Sequence, residues 1–295
     1  MKLVRYGERG RERPGLWIDD PAGPRILDVR GMAFDIADYD THFFSRHGLA
    51  RVAALALEHR RKEIPAEGIR LGPPVARPGK IICVGKNYAE HAKEFDAQVP
   101  TSPVLFSKAT TALSGPYDDI VIDNAATTTD AEVELAVVIG ETARRVSEAD
   151  ALAHVAGYAV MNDVTDRAAQ KEGLQWFRGK SFDTFCPLGP WLITPDEVDL
   201  ARGLTLTSHL NGEPLQTGHT GDMMFGVAYL ISFISRSITL EPGDLIATGT
   251  PAGVGFARTP PVFLKPGDVI ACAIEGIGEI RNRLKTFGKL RGGNG

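Results

Sequence analysis

Two glutamates separated by a single residue mark the most chemically loaded stretch of the chain, Asp130-Ala131-Glu132-Val133-Glu134-Leu135-Ala136-Val137-Val138-Ile139. In an extended strand, side chains two apart share a face, so Glu132 and Glu134 project side by side. Ala136 and Val138 continue that face while Val133, Leu135 and Val137 line the other, so both faces read as buried. Adjacent carboxylates taken out of water repel each other and lose hydration, at several kcal/mol per ion. A divalent cation removes that penalty. Hard oxygen donors with no His or Cys cluster beside them favour Mg2+ or Mn2+, with Ca2+ as a further candidate, over zinc. The alternative is a surface edge strand whose glutamates are solvated. A third acid, Asp163, follows the apolar run 155–161 and so stands where a strand ends. Asn162-Asp163 is equally a turn or cap signal.

A second grouping supplies proton-transfer chemistry. His91 and Glu94 are three apart in Asn87-Tyr88-Ala89-Glu90-His91-Ala92-Lys93-Glu94-Phe95, which the sequence suggests is a short helix capped by Asn87. A carboxylate beside an imidazole fixes its tautomer and raises its basicity, giving a general base for water. Such helical pairs are also common as solvated neighbours. Gly85 just before this acidic helix suits a lid. Lys180, ahead of an apolar stretch, could stabilise an enolate or could be a snorkelling surface lysine, and Lys108 at the end of an apolar strand invites the same two readings. The glycine-rich 247–255 segment could offer backbone N–H groups and the Thr250 hydroxyl to a carboxylate, or be a plain loop. It lacks the Gly-Lys-Ser/Thr ending of a phosphate-binding Walker loop.

These groups must be positioned by a chain of 295 residues, long enough for a substantial core. Hydrophobic residues make up 43% and charged residues 24%, with 33 Lys+Arg against 37 Asp+Glu. That mild acidity, without a dense basic block, argues against a nucleic-acid partner. The first ten residues are too charged for a signal peptide, and the most apolar stretch, 225–240, is interrupted by serines and Arg236, so no membrane span is expected. Cys83, Cys186 and Cys272 lack disulfide or zinc spacing, and the cytoplasm is the expected compartment.

The segment 71–80 is rich in Pro and Gly, and a boundary is placed there, giving a small N-terminal α/β domain, 1–75, and a catalytic domain, 76–295. A buried strand is expected at 80–85, and short β-branched runs dominate from 104 onward: 120–122, 133–139, 204–210, 245–248 and 269–274. Helices are expected at 49–61, 148–156 and 223–235. Pro242-Gly243-Asp244 and Pro266-Gly267-Asp268 repeat a turn that launches a strand. The fold class is α+β, a β-dominated mixed-sheet roll.

Val84-Gly85-Lys86-Asn87-Tyr88 leading into His91 and Glu94, Glu132-Val133-Glu134-Leu135, Asn162-Asp163-Val164-Thr165, Gly179-Lys180-Ser181-Phe182-Asp183, Asn211-Gly212-Glu213 with Asp222-Met223, and Thr248-Gly249-Thr250-Pro251-Ala252-Gly253-Val254-Gly255 follow one another in an order and spacing that resembles the fumarylacetoacetate hydrolase superfamily over roughly 78–285. The N-terminal stretch is similar to the subgroup acting on 2,4-diketo-3-deoxy sugar acids of the fuconate and rhamnonate kind. The resemblance implies a β-roll and a homodimer. It assigns Mg2+ or Mn2+ to Glu132, Glu134 and Asp163, water activation on a mobile lid to His91 and Glu94, diketone contact to Lys180 and Gln170, and carboxylate binding to Thr250. Where the family often has Thr-Ala-Arg-Asp, this chain reads Thr165-Asp166-Arg167-Ala168, which bears on local hydrogen bonding and substrate choice.

The activity so implied is hydrolysis of a C–C bond in a 2,4-diketo acid, releasing pyruvate and a second acid. The same site could instead serve an oxaloacetate decarboxylase or tautomerase or a hydroxymuconate isomerase, which need no attacking water. A non-catalytic metabolite-binding protein is the alternative of another class.

Overall fold

The computed structural model describes residues 1–94, 100–122 and 128–287. A 12-stranded mixed sheet dominates it, and its central path runs Lys2–Tyr6, Cys186–Ile193, Val155–Asn162, Val133–Ile139, Leu245–Ala247, Ile81–Gly85 and Val104–Lys108. Val133–Ile139 pairs antiparallel with Val155–Asn162 on one side and Leu245–Ala247 on the other. A five-stranded sheet orders Glu213–His219, Thr205–Leu210, Val269–Ile274, Gly278–Thr286 and Ile120–Ile122.

The alternation in the central strand explains its place. Val133, Leu135 and Val137 pack into a core shared with Leu206, Ile270 and Ile280 of the five-stranded sheet. Ala136 and Val138 face the other way, into a core with Leu3, Leu27, Tyr39 and Phe43. Small and branched side chains on both faces let two layers close on a single strand, so both faces are buried, as the sequence suggests.

The segment 1–75 shares this architecture. Lys2 and Leu3 register with Ile193 and Leu192, so its strands extend the large sheet, and Leu3 and Leu16 share a core with Ile81, Ala136 and Met161. Both Pro-Gly-Asp turns form as expected, with Gly243 and Gly267 in the left-handed region at φ 90° and 94°. In each, the aspartate takes the N–H three residues back, Asp244 from Glu241 at 2.6 Å and Asp268 from Lys265 at 2.8 Å.

The helical expectations fare unevenly. Val227–Ser235 falls within its expected span, and Gly48–Ala56 overlaps the expected 49–61, beginning one residue earlier and ending at Ala56. The 148–156 helix is instead a single 3-10 turn, Ala151–His154, because Val155 onward pairs with the central strand and tertiary pairing overrides weak local propensity. Two helices near the site, Arg167–Lys171 and Phe177–Lys180, are too short to carry a 3.6-residue signature. Among the described residues no helix is long and apolar enough to cross a membrane.

Candidate active site

Pairing of Val133 with Asn162 brings the start of the central strand beside the end of its neighbour. Glu132 and Asp163 meet there, joined by a 2.9 Å bond from Asp163 N to Glu132 O. Glu132, Glu134 and Asp163 are all buried, which overturns the solvated-edge alternative. They offer oxygen atoms that lie within 4.8 Å of one another.

Cations crowd this cluster. The Lys180 ammonium donates to Glu132 Oε2 at 2.7 Å and to Asp163 Oδ2 at 2.6 Å. The Arg167 guanidinium reaches Asp130 Oδ2 at 2.7 Å and Glu132 Oε1 at 2.6 Å. Lys108 donates to Asp163 Oδ1 at 2.7 Å, to Val164 O at 3.2 Å and to Lys180 O. Burial disfavours the charge on Glu132, but Lys180 and then Arg167 hold its carboxyl far below the usual range. Burial likewise opposes the charge on Lys180, yet Asp163 and Glu132 outweigh it and raise the ammonium's pKa.

Glu134 is the exception. Among the described residues its Oε2 accepts the N–H of Gly249, at 2.8 Å, and burial together with the charges of Asp163 and Glu132 pushes its pKa well up. Among the described residues, four buried carboxylates (Asp130, Glu132, Glu134 and Asp163) thus face three buried cations (Lys108, Arg167 and Lys180). The cluster is one positive charge short, and the shortfall falls on the least partnered acid. A divalent ion between these hard oxygen donors would reverse that deficit and favour the ionised form of Glu134.

The glycine-rich segment serves the protein's own acids. Gly249 donates to Glu134, Gly253 to Glu94 Oε1 at 2.7 Å, and Gly255 and Phe256 to Asp130 at 2.9 and 3.0 Å. Gly249 and Gly253 sit at φ 99° and 100°, a region closed to most side chains, and a Cβ on Gly253 would lie 2.6 Å from Leu215 O. Thr250 turns its hydroxyl to Val133 O at 2.9 Å and accepts from Gln216 Nε2 at 2.7 Å, so its proton is already committed.

His91 and Glu94 pair as expected, Nδ1 to Oε2 at 2.8 Å. His91 lies in the helix Ala89–Lys93 and Glu94 is its C-cap, while the N-cap position is Tyr88 rather than Asn87. Asn87 instead ties the segment down, donating to Phe225 O at 3.0 Å and Thr248 O at 2.7 Å and accepting from Phe225 N at 2.9 Å. With Glu94 on Gly253, the helix is held at both ends. Phe95, which the sequence suggests as its last residue, lies outside the described residues.

A cavity of about 310 Å³ opens onto these groups. Its walls include His91, Glu132, Glu134, Lys180, Gln170 and Thr250, with aromatic surface from Phe106, Trp176 and Phe256. That volume suits a small metabolite. Lys108 does not reach it: its ammonium is fully buried behind Asp163 and spends its donors there. The local sequence departure is accounted for by Asp166, which caps Arg167–Lys171 by accepting Ala169 N at 2.8 Å and also takes the Thr128 hydroxyl at 3.3 Å.

Arg167, Asp130 and Gln216 are not singled out by the sequence. Asp130, Glu132 and Glu134 follow at i, i+2 and i+4, so three acids in step called for more positive charge than one ion supplies. Gln216 fills its hydrogen-bonding capacity with Val133 N, Ser208, Thr250 and Pro251 O, and nothing local signals it.

Known proteins resemble this chain over most of its length. Residues 80–285 match the family described as fumarylacetoacetate (FAA) hydrolase C-terminal. The chain is 45% identical, over 98% of its own length and 98% of the other's, to a 2,4-didehydro-3-deoxy-L-rhamnonate hydrolase of Sphingomonas sp. (strain SKA58). It is 40% identical to a mitochondrial oxaloacetate tautomerase of Homo sapiens, over 96% of this chain and 91% of that one. Among solved structures, maleylpyruvate hydrolase from Sphingobium sp. SYK-6, in complex with manganese(II) ion and pyruvate, superposes with a TM-score of 0.80 at 31% identity, covering 98% of this chain and 100% of that one. The chain is therefore an enzyme belonging to the fumarylacetoacetate hydrolase family.

Proposed function

We propose that the chain hydrolyses a C–C bond of a 2,4-diketo acid, of the 2,4-diketo-3-deoxy sugar acid kind, to pyruvate and a second carboxylic acid. Mg2+ or Mn2+ would be held by Glu132, Glu134 and Asp163. The observation that carries this reading is that His91, paired with Glu94, lines one small cavity together with Glu132 and Glu134 of the acid cluster. The resident ion, when bound, makes the α-keto acid end of the substrate an electron sink.

The chain's own residues supply the rest. With Nδ1 turned to Glu94, His91 takes a water proton on Nε2, and Glu94 steadies the imidazolium that results. The hydroxide so formed adds to the distal ketone. Collapse of the adduct breaks the C–C bond and leaves its electron pair on the pyruvate carbon as an enolate, which a proton then quenches. Lys180 keeps its charge at the edge of the cluster and donates to the oxygen where negative charge builds. Gln170, on the cavity wall beside Arg167, contacts the diketone. Thr250 binds the substrate carboxylate only by releasing Val133 O.

A panel of 2,4-diketo acids with Mg2+ or Mn2+, read out as pyruvate plus a second acid, tests this. A second reading, tautomerisation or decarboxylation of an oxaloacetate-like acid, draws on the 40% identity to an oxaloacetate tautomerase, and an isomer or CO2 as sole product would select it. Three free, buried cysteines suit the cytoplasm, and the homodimer implied by the family resemblance is checked by light scattering.

A further inference from the structure

A second cavity, of about 660 Å³, lies between the N-terminal segment and the 110–118 stretch, and shares no lining residue with the first. Six arginines line it: Arg5, Arg9, Arg11, Arg30, Arg70 and Arg77. Four acids line it too, so the arginines exceed them by two; three of the acids are paired with arginine and Asp40 is a helix cap. Asp38 takes both Arg5 Nε at 2.6 Å and Arg5 NH2 at 2.8 Å, and Asp118 takes Arg70 at 2.8 and 2.6 Å. Glu12 accepts from Arg70 at 2.9 Å and Gly10 N at 3.0 Å, and Asp40 accepts from Phe43 N at 3.0 Å.

Arg5 and Arg70 are thereby spent. Arg9, Arg30 and Arg77 have no carboxylate partner among the described residues, and Arg11 reaches only Glu8, at 3.8 Å and outside the cavity. Arg77 is moreover held in the left-handed region, φ 48°, which costs a non-glycine residue energy that the surroundings must offset. The cavity thus presents several uncompensated guanidinium groups on a rigid floor of satisfied ion pairs, with Thr110 and Thr111 beside them. Planar forks of N–H donors match the oxygens of phosphate and carboxylate two at a time.

We propose that this cavity is a second binding site, for a small doubly charged oxyanion, built by Arg9, Arg30 and Arg77 over the Arg5–Asp38 and Arg70–Asp118 pairs. It is separate from the diketo acid site and independent of the reaction there. Phosphate-bearing and dicarboxylate metabolites share the required chemistry.

Isothermal titration calorimetry on the full chain, at fixed ionic strength, with inorganic phosphate and with succinate as probes, tests it. A single saturable event per chain is expected for at least one probe, weakened at least about tenfold in Arg30→Ala/Arg77→Ala and unchanged in His91→Ala. Tighter phosphate assigns a phosphate ligand and tighter succinate a dicarboxylate. Both arginines are exposed, so the double variant should melt with the parent; if it does not, Arg9→Ala/Arg11→Ala is read instead. No saturable event with either probe overturns the proposal, as does an event that His91→Ala removes and the arginine variants keep. A changed molar mass in the arginine variants, with neither probe bound by the parent, assigns the arginines to a contact between copies and also overturns it.

Discussion

His91 and Glu94 meet Nδ1 to Oε2 at 2.8 Å, and the second oxygen of Glu94 is anchored on the N–H of Gly253 at 2.7 Å. The carboxylate thus has one oxygen for the imidazole and one for the glycine-rich loop, which fixes the ring's tautomer and its aim. A solvated surface pair would hold neither. His91→Ala should lower pyruvate release from the best diketo acid by about 10²–10⁴-fold, the usual worth of a general base, with the metal content unchanged. Turnover near the parent's would remove His91 from the chemistry.

Arg167 spans Asp130 and Glu132, both buried. Arg167→Met keeps the volume but leaves Asp130 without a cation and Glu132 with Lys180 alone, and loss of one partner of a buried pair costs about 3–5 kcal/mol. Urea denaturation should report a loss in that range. A change below about 1 kcal/mol would mean that the backbone N–H groups of Ala131, Gly255 and Phe256 satisfy Asp130 without the guanidinium.

Gly85 lies beneath Trp176 at the cavity wall, and a Cβ there would come within 2.5 Å of the indole. Gly85→Ala should displace the ring, at about 1–3 kcal/mol of overpacking. Tryptophan fluorescence should shift and KM rise more than kcat falls. Unaltered fluorescence and KM would show that the wall yields freely.

Asp28 accepts from Arg13 at 2.9 and 3.0 Å, from Lys62 at 3.1 Å and from Gly31 N at 3.0 Å. Burial works against its charge, but these donors outweigh it and hold its carboxyl down to about 2 from 3.8. A pKa depressed on folding gives stability that is complete above the unfolded value and is lost as pH falls through the folded one. Between pH 4 and pH 2, thermal melts of the parent should therefore fall more steeply than those of Asp28→Asn. Parallel curves would contradict the assignment.

Much of the site is legible in the sequence because its parts are local. Glu132 and Glu134 share a strand face by period, Asp163 ends an apolar run, and His91–Glu94 is a single helical turn. What is not legible depends on pairing between distant segments. The end of Val155–Asn162 must register with Val133 before Asp163 meets Glu132, and residues 249–256 must fold over the strand before their N–H groups find Asp130, Glu134 and Glu94. Lys108 illustrates the limit. Its position after an apolar strand is plain, but only the packing turns its ammonium to Asp163 and away from the cavity. In the fold, the strands with clear β-branched runs are found within a residue of their expected bounds, whereas 148–156 loses its helix to sheet pairing.

Glu132, Glu134 and Asp163 are proposed to hold one divalent ion. Titration of chelator-treated chain with Mn2+, followed by electron paramagnetic resonance of the free ion, tests it without any substrate. One tight ion per chain is predicted, with Glu134→Gln binding at least about tenfold more weakly, since a neutral amide removes one hard anionic donor. Absence of a tight site in the folded parent, or equal affinity in Glu134→Gln, would contradict the account.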